Sequence, residues 1–383
     1  MVASAFSSDR VRLRSIGTDP ATGLARAVVV DEGALVHTAL MFPEDGEGRL
    51  LGEGDVGQAS RVLTNIDSAL RAARTDLTRL VRLHVYVAEA SVTPEIDRLL
   101  RQRFRGKTLP AVTVVETAMP RRGVVVAMDA IAATDWRTDA GRPSRLATHA
   151  LPQRTKRASH VAIQPDGPFV IVSGRSASGD FEPAVRGTME ALRTDLKGVG
   201  LTFDDVAQVK SFLGNISQAE RLEQIVAESF GGARVPPQVV TEWRQESAHV
   251  EIELIAVASR ATGGERVEYV EPVSGRYSRV ARVNDGRPVF LSGLYGRSND
   301  PIEQVREMFT ELQQLVKEAG SDMAHLVKAT YYVSDKLADQ EINAIRPTLY
   351  DPRRPPAASK LAVRGTGRKG KAATFDMIAV TVK

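Results

Sequence analysis

Apolar and polar positions alternate along Leu80-Val81-Arg82-Leu83-His84-Val85-Tyr86-Val87, and the same habit returns at 206–213 (VAQVKSFL) and 326–333 (LVKATYYV). Each stretch is rich in β-branched and aromatic residues, so each predicts a strand. Upstream the period changes to that of a helix. Val62, Ile66, Ala69, Leu70 and Ala73 share one face, as do Val305, Phe309, Leu312 and Val316. Gly200 and Gly320 stand six residues before the strand that follows, where a helix end takes a left-handed residue. Arg74 holds that place in the first copy. Either a non-glycine residue adopts the left-handed conformation there, at a cost of about 1 kcal/mol, or the turn differs.

Further anchors recur with these. An apolar strand closes each unit: 127–132 (AMDAIA), 251–256 (EIELIA) and 374–379 (TFDMIA), spaced about a third of the 383 residues apart. Phe104, Phe230 and Tyr350 each precede a proline by six positions, at Pro110, Pro236 and Pro356. An early strand ends in Ser-Gly at Ser173-Gly174 and Ser292-Gly293, with 35–39 (LVHTA) as the weaker first copy. A second helix is predicted at 94–104, 217–230 and 338–350. Each unit reads strand, strand, helix, strand, helix, strand, strand. This order predicts an α+β fold in which each unit is a mixed sheet with hairpin ends and two helices on one face. The other faces must also be buried, and three units bury them against one another as an intramolecular pseudo-trimer. The units are 1–135, 136–262 and 263–383. Composition marks linkers near 134–157 and 261–274.

Composition narrows the chemistry. With 43% hydrophobic and 26% charged residues the chain is that of a globular protein. Its apolar runs fall far short of the roughly 20 residues that span a bilayer, and the N-terminus has no secretory pattern, so a cytoplasmic protein with no membrane partner is expected. Cysteine is absent, which removes disulfides, thiolate metal sites and thiol nucleophiles. The six histidines show no metal-ligand spacing, and no phosphate loop or dinucleotide fingerprint is present; no metal and no cofactor are expected. A net charge of +4 is spread over a large surface and argues against nucleic acid as a partner.

The units resemble the RidA/YjgF family of enamine and imine deaminases, whose fold is chorismate-mutase-like. The shared features are the Ser-Gly after an early strand, Asn65-Ile66 in the first helix, Leu326-Val327-Lys328, the Tyr86-Val87 strand ending, the proline after the second helix, and the closing strand at 251–256. The resemblance covers the whole chain three times. It implies small-molecule clefts between units, with an arginine after the proline clamping a substrate carboxylate, a glutamate opening the last strand and holding the attacking water, and a serine and a tyrosine shaping the cleft. Some family members have been described as ribonucleases or translation inhibitors, for which the weak charge gives little independent support.

Carried over residue by residue, the family set is dispersed. The arginine position holds Val112, Gln238 and Ala358, so no copy retains it. The glutamate position holds Ala127, Glu251 and Thr374. The candidate catalytic residue is therefore Glu251. The candidate substrate-binding residues are Ser173, Gly174, Arg175, Gln238, Tyr277, Ser292 and Gly293, with Arg175, Arg297 or Lys360 as a replacement cation. Each has a bland alternative: Glu251 or Glu253 facing solvent or a basic neighbour, the serines making turns, Arg175 on the surface, Tyr277 packing at an interface. Two readings follow. The chain is a divergent hydrolase that acts on, or binds, a small imine, enamine or keto metabolite at a cleft between repeats. Alternatively it is a non-catalytic ligand-binding or protein-interaction scaffold. Either way it is a monomeric pseudo-trimer or a small oligomer of one.

Overall fold

The computed structural model describes residues 10–20, 22–105, 109–137, 141–245 and 248–382. The N-terminal stretch read for a secretory signal and residues 138–140 of the first linker lie largely outside them. The first repeat comprises β1 (Arg12–Thr18), β2 (Ala25–Glu32), β3 (Ala34–Thr38), α1 (Gly54–Ala72), β4 (Leu80–Val87), α2 (Thr93–Arg103), β5 (Ala111–Glu116) and β6 (Val126–Thr134). The second comprises β7 (Ser144–Leu146), β8 (Val161–Gln164), β9 (Phe169–Arg175), α3 (Phe181–Gly198), β10 (Val206–Leu213), α4 (Ala219–Ser229), β11 (Gln238–Glu242) and β12 (Val250–Val257). The third comprises β13 (Val267–Val273), β14 (Tyr277–Val283), β15 (Pro288–Leu291), α5 (Pro301–Glu318), β16 (Leu326–Val333), α6 (Lys336–Leu349), β17 (Ala357–Ala362) and β18 (Ala373–Val380). Strands β7 and β13 occupy stretches that composition marked as linkers. No helix of the described residues is long and apolar enough to cross a membrane.

All the strands belong to one curled mixed sheet. In each repeat the middle strand runs parallel to the fifth of the six observed strands and antiparallel to the sixth: β4 lies between β5 and β6, β10 between β11 and β12, β16 between β17 and β18. The closing strands therefore flank the middle strand and do not form the predicted hairpin, because a parallel β–α–β crossover places the fifth strand on one edge and leaves the other edge to the sixth. Between repeats, β3 pairs with β8, β9 with β14, and β15 with β2, all antiparallel.

The strand alternation sorts side chains onto two faces. Leu83, Val85 and Val87 of β4 join Val62, Ile66, Leu70 and Ile96 of the helices in one apolar cluster, and the other two repeats have equivalents. The opposite face carries Arg82, His84 and Tyr86, with Gln208, Lys210 and Phe212, and Lys328, Thr330 and Tyr332, at the matching places of β10 and β16. All nine are buried. They meet residues of the last strands, Asp129, Glu253 and Asp376, and form a polar belt between two apolar layers, one containing Ile171, Phe290 and Ile378, the other Phe42, Trp243 and Leu361.

The belt is dense in charge. His84 Nδ1 lies 2.8 Å from Asp129 and its Nε2 3.0 Å from Asp376, while Tyr86 donates to Asp129 at 2.8 Å. Carboxylates only accept, so both histidine contacts are satisfied when the His84–Asp129–Asp376 cluster holds one proton beyond a neutral ring and two ionised acids. Burial works against that proton and Asp129 works for it. Arg82 pairs with Asp376, and Lys328 with Glu253 at 2.7 Å. Burial alone would raise Glu253, but Lys328 and Lys210 hold its pKa below the usual range. Lys210 donates to Tyr332 at 3.0 Å, and its Nζ lies 5.6, 5.8 and 5.7 Å from the rings of Tyr86, Phe212 and Tyr332, one from each repeat.

The helix-end expectation resolves in favour of a common turn. Arg74 has φ +54°, against +74° for Gly200 and +81° for Gly320. In all three the next amide reaches back to the helix, Thr75 to Leu70, Leu201 to Leu196 and Ser321 to Val316. The Arg74 guanidinium lies 4.5 Å over the Trp136 ring, which offsets part of the left-handed cost. Arg74→Gly is expected to change stability by less than about 1 kcal/mol, since relief of strain and loss of the cation–π contact oppose one another. Arg74→Ala, losing the contact and keeping the strain, should be the less stable of the two by chemical denaturation.

Candidate functional site

Three seams between repeats share a plan. At the second, between repeats two and three, Ser173 at the end of β9 donates from Oγ to the Ser278 carbonyl at 2.6 Å and accepts from the Ala358 amide at 2.7 Å. At the third, between repeats three and one, Ser292 donates to the Ala25 carbonyl and accepts from the Val112 amide at 2.9 Å. Each serine thus ties its own strand to two strands of the following repeat. At the first seam Thr38 Oγ1 instead accepts from Ala130 within its repeat, while the Leu40 amide reaches the Gln238 carbonyl at 2.9 Å.

The candidate residues accordingly divide. Ser173, Gly174 and Glu251 meet at the second seam, with Arg175 following on the same strand and Tyr277 adjoining the Ser278 that Ser173 bonds; Ser292 and Gly293 stand at the third seam, and Gln238 at the first. Glu251 opens β12 opposite Phe212, and its carboxyl packs against Gly174, where a Cβ would overlap Oε1. That oxygen is buried and receives no hydrogen bond. Burial pushes the Glu251 pKa up to about 7, outweighing the Ser359 hydroxyl and the Lys328 charge that favour ionisation. Glu253, two residues on, is held by Lys328 and by Ser359 at 2.8 Å. Glu253 is buried, and Glu251 is half-buried with its Oε1 turned inward.

Arg175 is committed to Asp195 of α3 through two contacts, 2.8 Å from Nε and 3.1 Å from Nη2. Lys360 pairs with Asp339. The half-buried Tyr277 ring is covered by Arg279 at 5.4 Å. At the third seam a Cβ on Gly293 would press on Thr374 Oγ1 and on the Thr113 backbone, so that seam is closely packed.

The first seam holds a cavity of about 40 Å³, lined by Gln238, one of the residues expected to bind substrate. Residues between β7 and β8 contribute to its wall. Arg154 there reaches Glu44 at 3.0 and 3.1 Å and lies 4.6 Å over the Phe42 ring; Arg121 pairs with the same carboxylate. Glu223 of α4 also lines the cavity, with its pKa pushed up by burial to about 7 against the pull of Arg154. A cation arriving from an aperiodic stretch leaves no spacing to read.

A curled mixed sheet built from three copies of one strand–helix unit, with a seam after each copy, defines a tandem-repeat α+β protein with its candidate sites between repeats. The endoribonuclease L-PSP family model matches residues 18–134, 149–258 and 269–380, and the chain belongs to that family, three times in tandem. Similar proteins carry the YjgF and RidA names. A 2-iminobutanoate/2-iminopropanoate deaminase of Capra hircus is 30% identical over 108 residues, 28% of this chain and 77% of that one. Among solved structures, a YjgF-family protein of Neisseria meningitidis is 25% identical, covering 30% of this chain and 96% of its own, with a TM-score of 0.24. A YjgF-family protein of Mycobacterium tuberculosis is 24% identical, covering 32% and 97%, with a TM-score of 0.23.

Proposed function

We propose that the repeats 1–135, 136–262 and 263–383 close into an intramolecular pseudo-trimer, each with two helices outside its sheet, and that the second seam hydrolyses a small imine or enamine. The recurrence of an early-strand pairing at every seam and the three rings around Lys210 support the closure. The chemistry rests on one observation, the buried, unpartnered Glu251 Oε1 beside Gly174. A carboxyl with a pKa near 7 is half ionised at neutral pH, where a general base is most effective. Ionised Glu251 takes a proton from water as the oxygen bonds to the imine carbon. The protonated carboxyl returns that proton to the nitrogen, which has taken the C=N π pair, and a carbinolamine results. The carboxylate then takes the hydroxyl proton and passes it to the nitrogen as the C=O forms and the carbon–nitrogen pair leaves on nitrogen, so that ammonia and a carbonyl compound depart.

The substrate preference follows from the clamp position. Ala358 offers only its amide there, and Ser173 already takes it. Losing a charged hydrogen bond costs about 1.5–3 kcal/mol, so a 2-imino acid binds more weakly than at an arginine-bearing cleft and a neutral imine suffers no such loss. Ammonia release from 2-iminobutanoate and from a neutral imine tests this. Wild type should release it above the buffer rate, faster relative to binding for the neutral imine, and Glu251→Gln should lower the rate by roughly 100-fold or more. Equal background release by both proteins would instead support the scaffold reading, which the saturation of Ser173 and Ser292 by backbone partners favours.

A further inference from the structure

The cavity at the first seam lies away from Glu251 and raises a separate question of what it holds. Its volume of about 40 Å³ corresponds to roughly three water positions, enough for a compact molecule of a few heavy atoms. The polar groups around it are unevenly satisfied. The cations are engaged: Arg154 with Glu44 and the Phe42 face, Arg121 with Glu44. His160 is also spent, accepting from the Thr148 amide at Nδ1 (3.0 Å) and facing the Pro152 carbonyl at Nε2 (3.2 Å).

What remains open is a set of acceptors. Gln238 is 8% exposed, its Nε2 is directed at the Glu223 carbonyl at 3.4 Å, and its Oε1 is buried without a partner. Ser159 is 2% exposed and its Oγ is likewise unpartnered. Among the described residues no ion pair or hydrogen bond reaches the Glu223 carboxyl. An amide oxygen, a hydroxyl and a carboxyl call for a ligand that brings N–H groups, and buried acceptors left unpaired each cost about 1–3 kcal/mol.

We infer that the first-seam cavity binds a small primary amine as its ammonium ion, with Gln238 Oε1, Ser159 Oγ and the Glu223 carboxyl accepting its N–H groups. An ammonium has three donors on one nitrogen, matching three acceptors. A carboxylate ligand would find its cations already paired and would face Glu223 and the Gln238 oxygen. The charged groups facing Glu223 are Arg154, Arg121 and Glu220, with Glu44 and His160 on the same wall. Burial holds Glu223 partly protonated near pH 7, so amine binding should tighten as pH rises from 6 to 8.

Calorimetric or NMR titration of the full chain with ethylammonium chloride, at constant ionic strength, tests the assignment. Saturable millimolar binding is expected, weakened at least tenfold in Glu223→Gln and in Gln238→Leu and unchanged in Glu251→Gln; sodium propionate should show none. Two variants guard against one that fails to fold, with circular dichroism as the check. Absence of saturable binding, binding unaffected by both cavity variants, or tighter binding of propionate would overturn the proposal, and none of these outcomes depends on catalysis at the second seam.

Discussion

Replacing Asp376 with alanine is expected to destabilise the protein by about 3–5 kcal/mol, because breaking a buried ion pair leaves an uncompensated charge in a medium that cannot solvate it. Asp376 is fully buried on β18 and faces three residues of the first repeat, Arg82, His84 and Thr113. Alanine strands the Arg82 guanidinium, which burial already drives down to a pKa of about 10. The position also joins the third repeat to the first, so the loss should lower the midpoint of a single cooperative transition and not detach one repeat. An exposed pair such as Arg98–Glu95 gives the contrast; its removal should cost no more than about 1 kcal/mol. Urea denaturation measures both. In Arg82→Met/Asp376→Leu, where both charges go together, much of the loss should be recovered. A loss below about 1 kcal/mol for Asp376→Ala would mean that the charge is reached by solvent.

The second large effect is an acid destabilisation centred on His37. This residue is 1% exposed on β3; its Nε2 lies 2.8 Å from Gln164 Oε1 across the first seam, and its Nδ1 has no partner. The amide oxygen accepts, so Nε2 carries the proton and a buried lone pair sits on Nδ1. Burial pushes the pKa down to about 4, more than the Gln164 contact raises it. The folded protein therefore keeps the ring neutral while the unfolded chain takes up a proton below about pH 6.5. The contribution is intact above that pH and is lost as the pH falls towards 4, by roughly 3 kcal/mol in all. Wild type should lose that much more stability than His37→Gln between pH 7 and pH 4, in urea melts across that range. Parallel curves would show that His37 titrates normally.

Much of the fold is legible in the sequence because the repeats supply three readings of each element. The strands Leu80–Val87, Val206–Leu213 and Leu326–Val333 form where alternation places them, and Val62, Ile66, Val305 and Phe309 are buried as the helical period requires. The interior belt is harder to see. Arg82 and His84 alternate with apolar neighbours, the pattern of a strand with one wet face, yet that face is closed by acids from strands far along the chain. Arg82 meets Asp376 across most of the sequence. The available signal was the recurrence of Asp129, Glu253 and Asp376 at one place in each closing strand, an acid three times over in an otherwise apolar stretch. For the sites, the residue-by-residue comparison singled out Glu251, and burial then sets its protonation, which a sequence cannot carry. Gln238 could be named from its motif position, but its seam depends on which repeat's edge it meets. Arg154 and Glu44 belong to loops, where neither period nor motif marks a residue as a wall of a cavity.

The central proposal is that Glu251 acts as a base within the second seam. The direct measurement is the pH dependence of kcat/KM for imine hydrolysis by wild type, beside Glu251→Gln, with ammonia as the readout. A wild-type rate that rises with pH through an inflection near 7, the pKa to which burial pushes this carboxyl, is expected, with the variant at least roughly 100-fold slower and that inflection gone. A wild type no faster than buffer, or a variant that keeps both the rate and the inflection, would contradict it.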